Sequence, residues 1–197
     1  MNKNTFKLNY ITALFVVLLF VLSNFFPLII SIFDKSFLND KTQLDYLLII
    51  QSLPYAITFL GIYFLFNQNN SDLRLQNKLF SLPVFSCSIA LFFFTLMLNE
   101  YLIGFVPTKG NEFLEKLYKE LSSTFNLLKA YPAAMVFATC VFAPIFEEIL
   151  FRGIILKGLL NNRKKPIFAI IFTSLLFGLV HGNPWQFIGA FTLGIIM

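Results

Sequence analysis

Residues 8–33 read LNYITALFVVLLFVLSNFFPLIISIF, 26 positions without a single charged side chain. About 20 apolar residues suffice to cross the hydrocarbon core of a bilayer as a helix. The apolar core of a cleavable signal peptide has only about 7–15. The stretch therefore reads as an uncleaved first membrane helix behind Lys3 and Lys7, with Pro27 bending or ending it. The composition agrees: of 197 residues 57% are hydrophobic and 13% charged, and 27 are Phe. A water-soluble globule carries about 25% charged residues to dress its surface, so disorder and an ordinary soluble domain are both excluded, and the surplus apolar surface must face lipid.

Further runs repeat the signal. Residues 46–71 carry no charge until Asp72, with a helix expected over 47–66, and residues 79–99 are uncharged up to Glu100. From Asn111 to Leu128 the pattern changes. Phe113, Leu114, Leu117, Tyr118, Leu121, Phe125 and Leu128 recur at helical spacing, with Glu112, Glu115, Lys116, Lys119 and Glu120 on the other face. This predicts an amphipathic helix on the membrane surface, supported by Glu112–Lys116 and Glu115–Lys119 pairs four residues apart. Residues 130–160 read as a long helix interrupted by Glu147, Glu148, Arg152 and Lys157. After the turn at Asn161–Lys165, residues 166–197 are free of formal charge and split at His181-Gly182-Asn183-Pro184. The last run, from Trp185, has 13 residues and reads as a membrane helix cut short. The expected fold is all-α: a polytopic transmembrane bundle with about five spanning helices, the start of a sixth and one interfacial amphipathic helix. Residues 1–129 form its N-terminal part, and 130–197 belong to the same bundle.

The net charge of +5 comes from Lys and Arg between apolar runs, a topology signal rather than a nucleic-acid surface. By the positive-inside rule the connections bearing Lys3 and Lys7, Arg74 and Lys78, and Arg163 to Lys165 are cytoplasmic, and so is the N-terminus. Cys87 and Cys140 stand alone in separate apolar runs, which predicts neither a disulfide framework nor a thiolate site, but inert buried thiols.

Ionisable groups within an apolar helix are costly and mark a protein-lined, hydrated cavity. With the basic turn at Arg163 taken as the tip of an antiparallel hairpin, Glu147 lies 16 residues before it and His181 lies 18 after it. At 1.5 Å per residue these distances are about 24 and 27 Å, so the carboxylates and the only histidine share a depth. Glu148 faces Arg152 one turn on, which leaves Glu147 to bind water as a general base. His181 is a candidate hydrogen-bond donor or metal ligand. Phe177 lies one turn before His181, and Gly178 with Gly182 would let the two helices of the hairpin approach closely. Pro144 cannot donate to the carbonyl of Cys140, so a kink beside the pair is expected. Taken singly, two glutamates and an arginine on a helix mark a solvated face, and a lone histidine before Gly-Asn-Pro marks a helix end. Their joint occurrence at matched depth is what points to a site.

Glu147-Glu148-Ile149-Leu150-Phe151-Arg152 and Phe177-Gly178-Leu179-Val180-His181 resemble the first two signature motifs of the CPBP intramembrane proteases. That family includes type II CAAX prenyl endopeptidases and Abi or bacteriocin-processing proteins. The resemblance covers residues 130–197 as the catalytic region. It implies that Glu147 and His181 activate the water that cleaves a peptide bond, with Glu148, Arg152 and Phe177 in support. The family also carries a downstream histidine followed four residues later by Asn or Asp; counterparts would lie beyond Met197. The resemblance leaves zinc and a metal-free glutamate mechanism both open, with Glu147 and His181 as the candidate ligands.

The resulting expectation is an intramembrane endopeptidase of the CAAX or bacteriocin-leader type in a bacterial plasma membrane. It would act on a peptide or protein substrate, lipidated or membrane-bound, with the bilayer as its other partner and no nucleic acid. The alternative is a non-catalytic self-immunity or scaffold protein with the same fold. A proton-coupled transporter is a third reading, disfavoured because the sequence shows no inverted repeat.

Overall fold

The computed structural model describes residues 7–25, 54–62, 82–129 and 132–196. Within them the all-α class expected from the sequence is what is found. Pro27, the loop 34–45, Arg74 and Lys78 lie outside the described residues, and the second apolar run is described over 54–62 alone.

Helix α1 runs from Tyr10 to Ser23. It is opened by a reciprocal cap in which Asn9 Oδ1 accepts from Thr12 N–H (2.8 Å) and Thr12 Oγ1 accepts from Asn9 N–H (3.0 Å). Residues 54–62 form α2. Ser23 and Thr58 hydroxyls meet at 3.2 Å between these helices, and a Cβ on Gly61 would lie 2.5 Å from Leu19 Cδ2, the end of a side chain that would have to turn. Helix α3 spans Leu82–Ile103 and α4 spans Glu112–Lys129. The start of α4 is capped by Asn111 Oδ1, which accepts from the N–H groups of Phe113 and Leu114 at 3.0 and 3.2 Å. Glu115 reaches back to that end, its Oε1 accepting from Gly110 N–H at 2.8 Å.

The central element, α5, occupies residues 132–161 and alternates between two helical forms. Pro132–Val136, Ala143–Glu147 and Lys157–Asn161 are α-helical, and Phe137–Phe142 and Glu148–Leu156 are π-helical. The long helix expected over 130–160, with a kink at Pro144, is refined on this point: it contains two π-helical segments. Pro144 has no N–H to continue the ladder, and just before it Ala143 N–H bonds the carbonyl of Ala138, five residues back. The disruption foreseen at Pro144 is thus a widened turn upstream of it. Helix α5 ends with Arg163 in the left-handed region at φ 56°, where Arg163 N–H bonds Leu160 O (3.0 Å) and Lys164 N–H bonds Leu159 O (3.2 Å). Helices α6 (Pro166–Leu179) and α7 (Pro184–Ile196) each begin with a proline at the first position, where its missing N–H costs nothing. The break between them carries Gly182 at φ 67°.

The core gathers around α5. Leu150, Phe151, Ile154, Ile155 and Leu159 are buried against Ala13, Val16, Val17 and Phe20 of α1 and against Ala169 and Leu176 of α6. Leu8 N–H bonds Gly158 O at 2.8 Å and clamps the chain entering α1 to the end of α5. Helix α7 packs on α6 and α3. Here the expected close approach at Gly178 is redirected. A Cβ on Gly178 would lie 2.7 Å from Phe187 Cδ2 of α7, not against α5, and Gly182 has open space around it. The cysteines are corrected too, since Cys87 and Cys140 are both exposed.

At 14 residues, α1 and α6 are about 21 Å long, and only positions 82–98 of α3 precede Asn99 and Glu100. Among the described residues no helix is long and apolar enough to cross a membrane.

Candidate functional site

A cavity of about 320 Å³ opens where α5, α6 and α7 meet beside Phe92 of α3. Helix α5 supplies Glu147, Glu148 and Arg152, at the junction where its α-helical turn gives way to the second π-helical segment. Such segments recur at functional sites, where the extra residue per turn re-aims side chains. Thr173, Ser174 and Phe177 come from α6, and Leu193 with Gly194 closes the far side. Gly194 is small for a reason: a Cβ there would lie 2.7 Å from Ser174 Cβ and 3.0 Å from its Cα.

The two adjacent carboxylates have different partners. Arg152 Nε lies 3.1 Å from Glu148 Oε2, and Arg152 Nη2 donates to the carbonyl of Leu193 at 3.4 Å. Arg152 thereby ties α5 to α7. Glu148 is 57% exposed, so the ion pair keeps one foot in solvent. Glu147 is half-buried and accepts a hydrogen bond at Oε1 from the buried Tyr55 hydroxyl, at 3.3 Å. Tyr55 itself is held by rings, with Phe20, Phe142 and Phe146 centroids within 5.3, 5.6 and 5.4 Å. Withdrawing a carboxylate from water is costly unless donors replace the lost hydration, and Tyr55 supplies one such donor. Sequence reasoning missed Tyr55. It lies 92 residues from Glu147 in an apolar run, and a phenol in such a run carries no signal beyond its need for a partner.

His181 follows α6 and is half-buried, its ring 5.3 Å from that of Phe177. Nδ1 is 2.8 Å from the carbonyl of Phe177. A carbonyl can only accept, so Nδ1 carries the hydrogen and Nε2 is left to accept or to bind. The Phe177 ring contacts two others, that of Phe151 at 5.0 Å and that of His181 at 5.3 Å. Phe177 lines the cavity, whereas His181 is not among the lining side chains. The structure therefore brings Glu147, Glu148, Arg152 and Phe177 to one cavity, while His181 touches Phe177 and is not among the lining side chains. Beyond His181, Asn183 donates to the His181 carbonyl at 3.0 Å and caps α7 by accepting from Gln186 N–H at 2.9 Å.

The metal question turns on the donor set. About three ligands are needed, and among the described residues no three His, Cys, Asp or Glu side chains come together in that way. Glu148 is committed to Arg152, and His181 Nδ1 to a carbonyl.

One further lining group stands out. Thr173 is 5% exposed, and its Oγ1 has no hydrogen-bond partner among the described residues. Leaving a buried hydroxyl unpaired costs about 1–3 kcal/mol.

The stretch that builds this cavity also carries the chain's affinity to known proteins. Residues 129–197 match the Rce1-like family. The matching family model is that of the type II CAAX prenyl endopeptidase Rce1-like proteins. No curated protein and no solved structure matches the chain. The Rce1-like region begins just before α5 and contains Glu147, Glu148, Arg152, Phe177 and His181. The match is consistent with a CPBP-family protease, the resemblance carried by the two motifs. At the level of the family it implies a peptidase, with a peptide or protein as substrate.

Proposed function

We propose that this chain is an intramembrane endopeptidase of the CAAX type in which Glu147 deprotonates the attacking water. The single observation that carries the reading is Glu147 itself, held by Tyr55 at the edge of a largely apolar cavity inside the Rce1-like region. The Tyr55 hydroxyl occupies Oε1 and fixes the carboxylate, leaving Oε2 to take the proton of a water. Arg152 braces the wall through Glu148 and Leu193. In this reading His181 assists Glu147 as the motif resemblance implies, with Nδ1 held by the Phe177 carbonyl and Nε2 free of that contact.

The apolar surface supports placement in a bilayer as a polytopic bundle. Helix α1 buries Ala13, Val16, Val17 and Phe20 on one stripe and exposes Ile11, Leu14, Phe15, Leu18 and Leu22 on the other. Helix α6 does the same, with Ile167, Phe168, Ile171, Leu175 and Leu179 facing outward. A helix apolar on its outer face as well as its inner one is solvated by lipid, not water. The N-terminus is cytoplasmic in this reading, and the membrane a bacterial plasma membrane.

Glu147→Gln tests the assignment. The carboxamide keeps the shape and the bond from Tyr55 but cannot accept the proton, so peptide cleavage falls by at least about 100-fold. Cleavage at the unaltered rate overturns the assignment.

A further inference from the structure

A second cavity, of about 520 Å³, lies along α4, and its described lining shares no residue with the cavity of Glu147. Glu115, Lys119, Ser122 and Asn126 recur at helical spacing and form one stripe of the helix. Thr108 and Lys109 join them from the loop that leads into α4. That loop is tied to the helix, because Gly110 turns at φ 87° and its N–H bonds Glu115 Oε1 at 2.8 Å. Spacing alone pairs Glu115 with Lys119. In the structure Glu115 turns back to the loop instead, and neither Lys119 nor Lys109 has an ion pair among the described residues.

The hydrogen-bonding groups around this cavity are lopsided. Lys109 and Lys119 offer N–H donors and no acceptor. Thr108, Tyr118 and Ser122 add hydroxyls and Asn126 an amide, side chains without a hydrogen bond among the described residues. Glu115 is the one negative group in the described lining; it is half-buried, and its Oε1 is taken by Gly110. Unpaired donors around a committed carboxylate suit a ligand that is negatively charged and rich in acceptors. A phosphate group meets both conditions, and a lysine ammonium binds it as a point charge.

The neighbouring side chains say what carries the phosphate. On α4 Phe113 is 68% exposed and Phe125 42%, and Phe105, ahead of the helix, is 69% exposed. A phospholipid answers to both kinds of group, since its acyl chains cover rings and its headgroup meets ammonium groups.

We propose that the cavity along α4 binds the phosphate headgroup of an anionic phospholipid, with Lys109 and Lys119 as its cationic contacts. The site is independent of the peptidase reading and holds whether or not Glu147 is the base.

Native mass spectrometry of the whole chain in detergent counts bound lipid directly. Dioleoylphosphatidylglycerol is the probe, and dioleoylphosphatidylcholine, with the same chains and no net charge, is the comparison. Phosphatidylglycerol binds at least about tenfold more tightly than phosphatidylcholine. Lys109→Gln and Lys119→Gln each weaken phosphatidylglycerol about fivefold and together about 25-fold, with phosphatidylcholine unaffected. Lys119→Arg keeps the charge and the affinity. Glu115→Gln retains an acceptor for Gly110 N–H and removes the negative charge, so phosphatidylglycerol binds about fivefold more tightly. Circular dichroism shows the helical content of every variant equal to the parent's. Equal binding of the two lipids, a double lysine variant that binds as the parent does, or weaker binding by Glu115→Gln each overturns the proposal. Displacement of phosphatidylglycerol by millimolar inorganic phosphate, with a phosphate adduct in its place, assigns the cavity to free phosphate and overturns the lipid.

Discussion

Glu147 and Glu148 are neighbours in sequence and strangers in environment. One points toward a buried phenol and the cavity; the other is 57% exposed and lies beside an arginine that is itself partly covered. The ion pair alone contributes little, because an exposed carboxylate gains a modest attraction that solvent screens. Arg152 does more than pair, since Nη2 also bonds the Leu193 carbonyl and so links α5 to α7. The two partners therefore differ when removed. Glu148→Gln lowers stability by less than about 1 kcal/mol, while Arg152→Ala lowers it by about 1–2 kcal/mol through the lost interhelical bond. Denaturation in detergent by urea or heat checks the order. A larger loss for Glu148→Gln than for Arg152→Ala contradicts the assignment of the interhelical contact to Arg152.

At the scale of the element, close approach of α6 and α7 depends on glycines facing particular atoms. Gly194 meets Ser174 Cβ and Cα, so an added methyl group cannot be absorbed by turning a flexible side chain. Gly194→Ala pushes α7 away from α6 and costs about 1–3 kcal/mol; because Gly194 and Ser174 also line the cavity, peptide affinity falls with stability. An unfolding temperature equal to the parent's means the two helices are not packed as described. The element boundaries were legible in the sequence where backbone chemistry dictates them. Asn111 caps, Pro166 and Pro184 start helices, and Gly182 turns the chain, each for local reasons. The π-helical segments of α5 were not legible, because a change from four to five residues per hydrogen-bonded turn leaves an almost uniformly apolar pattern unaltered. The inward and outward faces were hidden for the same cause. Where lipid-facing and core-facing residues are both apolar, hydrophobicity cannot say that Cys87 and Cys140 are exposed and Leu150 is not. Counting along the hairpin put Glu147 and His181 at one depth, but it could not say that Phe177 lines the cavity and His181 does not, nor find Tyr55 from across the chain.

For the whole molecule, the outward apolar surface is what the proposed bilayer placement has to explain. Phe93 and Phe94 are each 61% exposed and Met97 is 76% exposed on α3, alongside the bare outer faces of α1 and α6. Exposed apolar side chains in such number call for a cover of lipid or protein. The amphipathic α4 exposes Phe113 and packs Tyr118 edge-on against Trp185 of α7 at 5.3 Å. Both native cysteines are exposed, on helices α3 and α5, and they serve as reporters of what touches that surface. In sealed vesicles a small lipid-soluble maleimide labels Cys87 and Cys140, whereas a charged, membrane-impermeant maleimide leaves both unlabelled whichever side it is added to. Detergent-solubilised and then denatured chain reacts with both reagents, which controls for thiol chemistry. Rapid labelling of either cysteine by the impermeant reagent in intact vesicles means that this face meets water, and the surface then calls for a protein cover in place of lipid.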